Sequence, residues 1–161
     1  MNVAPPRFTT DESTEEDIHH HLLYCDHLFS PRLSERVDIA GYARKLRERG
    51  RTLEAWDRGL LVGLIAVYLN FRDGSCFISN VSVLENFAGR GIAARLLAAC
   101  LDLAASEHLS LISLEVSSHS LPALRLYEKF GFQVQEHRGN HLYMELRQHG
   151  QDHHSDDGAT S

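Results

Sequence analysis

The sequence predicts an α+β domain, a mixed and mostly antiparallel sheet of about six to seven strands flanked by about four helices. Two observations carry this. Apolar residues recur at helical spacing in four segments and at strand spacing, or as short apolar runs, in seven. Their order, β-α-α-β-β-β-α-β-α-β-β, groups strands in turn-linked runs instead of alternating strand with helix as a fully parallel sheet requires.

A short strand near Arg7 to Thr9 comes first. The acidic cluster DESTEED then precedes IHHHLLYCDHL, where Ile18, Leu22, Cys25 and Leu28 or Phe29 fall on one helical face. Acidic side chains at a helix start complement its dipole. After a loop from Phe29 to Arg36, a second helix spans Asp38 to Arg49. Asp38 serves as its cap, Ile39, Tyr42, Ala43 and Leu46 form its buried stripe, and Gly50 stops it. Strand patterns follow at Arg51 to Trp56 and Leu60 to Tyr68, joined by the hairpin turn Asp57-Arg58-Gly59. Arg72-Asp73-Gly74 turns the chain into another strand, Cys76 to Val83.

The alanine- and leucine-rich segment from Gly91 to Glu107 reads as a helix, and Leu111 to Val116 as a strand buried on both faces. Leu121 to Phe130 is the last helix, stopped by Gly131. Two strands, Phe132 to Arg138 and His141 to Arg147, meet at Gly139-Asn140. Residues 1–147 are thus expected to form one domain, and the polar segment 148–161 a disordered tail.

Composition narrows the function. The length of 161 residues and 43% hydrophobic content suit one domain with a real core. A net charge of -6 lacks the positive excess that binding nucleic-acid phosphates demands. Three dispersed cysteines, Cys25, Cys76 and Cys100, without a CxxC pair fit a reducing cytoplasm. The N-terminal segment is acidic where a signal peptide is basic, and no run reaches about 18 apolar residues, so neither export nor membrane insertion is expected. The triplet His19, His20 and His21 reads as a solvated helix face, because successive helical residues point about 100° apart and cannot jointly grip a tetrahedral metal. His153 and His154, in the acidic tail, lack a fixed scaffold, so no metal site is expected. Cys76 and Cys100 read as small buried hydrophobes.

The segment ISNVSVLENFAGRGIAARLLAACLDLA passes from a strand through a Gly-rich turn into a helix. Gly89 and Gly91 lack Cβ atoms, so N–H groups from Gly89 to Ala93 can converge where the helix adds its positive dipole end, a nest suited to a pyrophosphate. A bare Gly-x-Gly turn is more often only a turn. Here it is followed by LEVSSHSLPALRLYEKFGF. Val81 to Val83 at a strand end, the RGxA turn from Arg90 to Ala93, and ALRLYEKFGF from Ala123 to Phe132, in that order, resemble the GNAT family of Gcn5-related N-acetyltransferases over roughly Leu60 to Leu146.

That resemblance implies acetyl-CoA as co-substrate, with the pantetheine arm pairing to the backbone of Val81, Ser82 and Val83. It places the pyrophosphate against Gly89, Arg90, Gly91, Ile92 and Ala93, and matches Ser120 to a coenzyme-contacting position where the family often carries Asn. Ala88 departs from the Gln or Arg that usually opens the turn. Tyr127 falls at the family's general-acid position, and Glu115, twelve residues earlier in an apolar strand, resembles the proposed base of the subgroup that acetylates ribosomal-protein N-termini. The alternative for Glu115 is a carboxylate at an open strand end, and for Tyr127 an aromatic packed in the core. A backbone N–H near Val83 receives the oxyanion by the same resemblance. Because the first two helices border the family's acceptor cleft, Tyr24, Phe29, Arg32 and Arg36 are substrate-side candidates.

The expected activity is direct transfer of an acetyl group to a primary amine of a small molecule. Acetylation of a protein N-terminus or lysine, and a catalytically silent acyl-CoA-binding module, are the alternatives. The resemblance also admits a homodimer. A mononucleotide-binding α/β fold lacks the P-loop or GxGxxG spacing it would need.

Overall fold

The computed structural model describes residues 4–148; the polar tail beyond Gln148, with His153 and His154, lies outside them. Seven strands are hydrogen-bonded in the order β1-β2-β3-β4-β5-β7-β6: β1 Arg7–Thr10, β2 Arg51–Asp57, β3 Leu60–Asn70, β4 Ser75–Val83, β5 Leu111–Ser117, β6 Gln133–Arg138 and β7 His141–Arg147. Four α-helices accompany them: α1 Glu15–Cys25, α2 Ile39–Arg49, α3 Ile92–Ser106 and α4 Leu121–Lys129. The expected order of elements is reproduced, with single 3-10 turns added at Asp26–Leu28, Leu33–Glu35 and Glu85–Phe87. The chain divides into two compact units, residues 4–68 with 79–100, and residues 69–78 with 101–148 in their described parts.

In the first unit, β1 and β2 pair antiparallel, as do β2 and β3. Thr14 caps α1 by accepting from Asp17 N–H at 3.0 Å while Asp17 accepts from Thr14 N–H at 2.9 Å, so the helix begins inside the acidic cluster. Asp38 caps α2 as expected, accepting from Gly41 N–H at 3.1 Å. The two helices bury Ile18, Leu22, Ile39, Ala43 and Leu46 together with Trp56, Leu61 and Leu64 of β2 and β3. Arg58 at φ 51° and Gly59 at φ 82° make the tight hairpin turn between these strands.

The β2–β3 ladder shifts register at Ala55 and Trp56, which face Gly63 and Leu61, so Val62 is the extra residue of a bulge. Gly63 is required beside it. A Cβ there would stand 2.8 Å from Ile92 Cγ2 and 3.1 Å from Leu96 Cδ1, so the start of α3 rests directly on the β3 backbone.

In the second unit, β5 pairs parallel with β4 from Ser75↔Leu111 to Ile78↔Leu114, and antiparallel with β7 along its full length. β6 pairs with β7 and is solvent-exposed at every residue. The expectation that β5 is buried on both faces needs one correction. Ile112, Ser113, Leu114 and Val116 are buried, but Glu115 is exposed. Its charge therefore stays in water, where it carries little desolvation cost.

Candidate active site

The first unit carries the Gly-rich turn. Gly89 and Gly91 both adopt φ 79°, and a Cβ on either would meet nothing within 4 Å, so the face of the turn is open. Only Gly takes this conformation without strain at two positions so close together. The helical hydrogen bonds of α3 begin with Arg95 N–H donating to Gly91 C=O at 3.1 Å. The N–H groups of Ile92, Ala93 and Ala94 precede that bond and are the unsatisfied donors of a helix start. Two left-handed glycines, free N–H groups and a helix dipole make a cradle that fits a pyrophosphate. Arg90 folds back across the Phe87 ring at 4.7 Å and donates to Asn86 C=O at 3.1 Å, bracing the turn.

Before the turn, the ladder to β5 ends at Ile78↔Leu114, and β4 continues from Ser79 to Val83. Ser82 is buried and Val81 and Val83 are half-buried. Leu84 N–H donates to Val62 C=O at 2.9 Å, fixing the chain as it leaves the strand.

A cavity of about 490 Å³ in the same unit is lined by Tyr24, His27, Leu60, Leu84, Glu85 and Asn86. His27 Nε2 and Glu85 Oε1 lie 3.1 Å apart at its wall. Of the substrate-side candidates, the exposed Tyr24 lines this cavity. Phe29 instead packs on the helical core, and Arg32 and Arg36 stand exposed at the two ends of the Leu33–Glu35 turn. The cavity residues after Val83 were not singled out in the sequence, although they follow the V-x-V strand end directly.

His21 corrects the reading of the histidine triplet. His19 and His20 are partly or fully exposed and stack at 5.9 Å, but His21 is buried. It sits three residues after Ile18 and four before Cys25, so it shares their inward stripe. Its Nδ1–H donates to Leu61 C=O at 2.9 Å and its Nε2 lies 2.9 Å from Ser82 Oγ. Burial pushes the imidazole down to about 4, so the ring is neutral at physiological pH. Burial also pushes the Cys25 and Cys76 thiols up to about 12, leaving them protonated and unsuited to nucleophilic attack.

The second unit carries the remaining candidates. Ser120 precedes α4 without capping it through its side chain, and Pro122 occupies the first turn. Tyr127, on α4, is 5% exposed and meets Phe132 edge-on with ring centroids 5.8 Å apart. Its hydroxyl makes no hydrogen bond among the described residues. Burial pushes the phenol well above its ordinary range, so it stays protonated and can offer its O–H as a hydrogen-bond donor. Glu115 Oε2 accepts from Arg138 Nη1 at 2.6 Å, and Arg138 also pairs with Glu136 and stacks on Tyr143 at 4.4 Å.

An α+β fold whose strand-to-helix turn opens a helix N-terminus behind two left-handed glycines is the setting of a phosphate-binding class of proteins. A family model described as Acetyltransferase (GNAT) family matches residues 15–132, and the chain belongs to that family, whose members use acetyl-CoA as co-substrate. No curated protein matches the sequence significantly. Solved structures share the fold. The PaiA N-acetyltransferase of Thermoplasma acidophilum, in complex with coenzyme A, superposes with TM-score 0.71 at 15% identity, over 88% of this chain and 99% of that one. The IAA acetyltransferase of Bacillus cereus gives 0.66 at 22% identity, over 88% and 100%. The ribosomal-protein-S18-alanine N-acetyltransferase of Escherichia coli gives 0.69 at 17%, over 88% and 94%. Among the described residues no helix is long and apolar enough to cross a membrane, and no group of three metal-ligating side chains is assembled.

Proposed function

We propose that the protein acetylates the primary amine of a small molecule by direct attack, with donor and acceptor bound together. Acetyl-CoA supplies the activated acetyl thioester. In this reading the backbone of Val81, Ser82 and Val83 receives the pantetheine arm, and the N–H groups from Gly89 to Ala93 hold the pyrophosphate, with Arg90 bracing their turn. Ser120 contacts the coenzyme beside α4. A backbone N–H near Val83 meets the oxyanion.

Tyr127 holds a proton for the departing sulfur. A free thiol has a pKa of about 8.5, below that of the Tyr127 phenol, so Tyr127 acts chiefly by hydrogen-bonding the developing thiolate, full transfer of its proton being uphill. Glu115 takes the proton that the attacking ammonium must lose, directly or through water. Its carboxylate pairs with Arg138 yet is more than a third exposed, and so is reachable.

The observation that carries the small-molecule acceptor is the 490 Å³ cavity, which begins at Leu84, one residue beyond Val83. Its apolar lining from Tyr24, Leu60 and Leu84 and the carboxylate of Glu85 suit an ammonium group on an apolar body. The test is thiol release from acetyl-CoA with three acceptor classes: small apolar amines, polyamines and N-terminal peptides. Preference for the first supports the reading. Peptide preference would favour a protein acceptor, and coenzyme binding without turnover in any class a silent module. Tyr127→Phe is expected to lower kcat by about 100-fold while sparing coenzyme affinity; unchanged kcat would remove Tyr127 from the chemistry.

A further inference from the structure

We propose that His21 is a positioning residue for the coenzyme, acting through Ser82 to fix the end of β4. The proposal rests on the reading of Val81 to Val83 as the coenzyme-pairing strand.

Past Ile78, β4 leaves its ladder with β5 and keeps only β3 as a strand neighbour, so further contacts help to set its path from Ser79 onward. Three groups in the first unit do so. Tyr42 of α2 bonds Ser79, with its hydroxyl 2.5 Å from Ser79 Oγ and donating to Ser79 C=O at 3.2 Å. Val62 C=O, in the β3 bulge, accepts from Leu84 N–H. Between these, His21 of α1 reaches Ser82.

The partners of His21 fix its tautomer. Leu61 offers only a carbonyl, so Nδ1 must carry the hydrogen, and a neutral ring then leaves Nε2 as an acceptor. Ser82 Oγ lies 2.9 Å from Nε2 and 2.7 Å from Asn80 Oδ1, so its one hydroxyl proton is shared between these two acceptors, and Cys25 Sγ lies 3.7 Å from Nε2. His21, Cys25, Asn80 and Ser82 are all buried, so the Ser82 hydroxyl is held by protein partners. One imidazole thus ties the bulge carbonyl of β3 to the middle of the coenzyme-pairing segment. The same bulge precedes Gly63, on which Ile92 and the start of α3 rest. His21 therefore sets the strand end relative to the framework that also supports the phosphate cradle. Because the Ser82 side chain is held by His21 and Asn80, only its backbone is left for the coenzyme.

Two conservative variants separate the halves of this link. His21→Asn places an amide N–H near Nδ1 and keeps the Leu61 bond but loses Ser82. His21→Gln places an amide oxygen near Nε2 and keeps Ser82. Coenzyme A binding by calorimetry, with thermal melting recorded in parallel, gives the readout. His21→Asn is expected to raise Kd about tenfold and His21→Gln by less than about threefold. A purely structural His21 would lower melting in both variants without this split, and equal affinities would overturn the proposal. Ser82→Ala removes the hydroxyl without touching α1 and is expected to weaken coenzyme binding by a similar factor; unchanged Kd there would also overturn it. Failure of the unmodified protein to bind coenzyme A would instead overturn the reading of the strand itself, and the role of His21 with it.

Discussion

Glu54 in β2 and Glu115 in β5 stand in matching sequence surroundings, Leu-Glu-Ala and Leu-Glu-Val inside apolar strands, yet the fold treats them oppositely. Glu54 is fully buried and accepts from five donors: Thr9 Oγ1, Glu12 N–H, Ser13 N–H, Ser13 Oγ and Thr52 Oγ1, at 2.5 to 2.9 Å. Glu115 is exposed and has one cation, Arg138. Burial pushes the Glu54 carboxyl upward, but the bonds from Ser13, Thr9, Thr52 and the Glu12 N–H outweigh it and hold the group below its ordinary range. A carboxylate so saturated has no lone pair left for chemistry. Burial marks the structural glutamate here, and openness leaves Glu115 within reach of other groups.

The largest test of this contrast is Glu54→Gln. The amide turns a donor toward a cluster of donors, and the loss is expected to be about 3 kcal/mol of unfolding free energy. Glu115→Gln is expected to cost less than about 1 kcal/mol, because its ion pair is solvent-screened. Urea unfolding of both variants compares them directly, and equal losses would erase the distinction. The Glu54 network joins the segment from Thr9 to Ser13 to β2, and Arg47 joins α2 to it by donating to Ser13 C=O at 2.7 Å, so the loss should be global and cooperative.

Acid sharpens the contrast from the other side. His21 has a folded pKa of about 4 against 6.5 for the free side chain, so between these values the unfolded chain takes up a proton that the folded one refuses. Stability is therefore intact above pH 6.5 and falls as pH drops toward 4, by about 3 kcal/mol at most from this group. Glu54, with its carboxyl lowered by its donors, begins to withdraw its stabilisation as pH falls below the ordinary carboxyl value of 4.5 and loses it as the folded group is forced to protonate. Urea midpoints in the His21→Gln variant should lose the first decline and keep the second. A wild-type decline that persisted unchanged in the variant would assign it elsewhere.

The sequence disclosed the order of elements because their signals are local: Asp38 before a helical stripe, Arg58-Gly59 at a hairpin, and glycines before α3. The turn at Gly89 and Gly91 was legible for the same reason, being made of backbone whose left-handed conformation favours glycine. Glu54, His21 and the cavity were not legible. Each depends on partners far along the chain: Glu54 on Thr9 and Ser13, His21 on Leu61 and Ser82, and Tyr24 on Leu60 and Glu85. His21 had one local clue, its place three residues after Ile18, which a count of helical spacing through the histidine triplet would have caught. For Glu115, apolar neighbours in sequence suggested burial, but the side chain leaves the strand on the side where Arg138 meets it.

The smallest expected effects separate Glu115 from its arginine. If the carboxylate takes the acceptor's proton, Glu115→Gln should lower turnover about tenfold, since the amide cannot accept that proton. Arg138→Leu removes the ion pair but leaves the carboxylate, so its turnover should stay within about twofold and its unfolding midpoint should barely move. Arg138 bridges two glutamates and covers Tyr143, and leucine retains part of that cover. Steady-state rates of the two variants at one saturating amine concentration suffice. Equal losses would mean that the pair acts as a strut for the end of β5, whereas a loss confined to Glu115→Gln isolates the carboxylate itself as the chemical group.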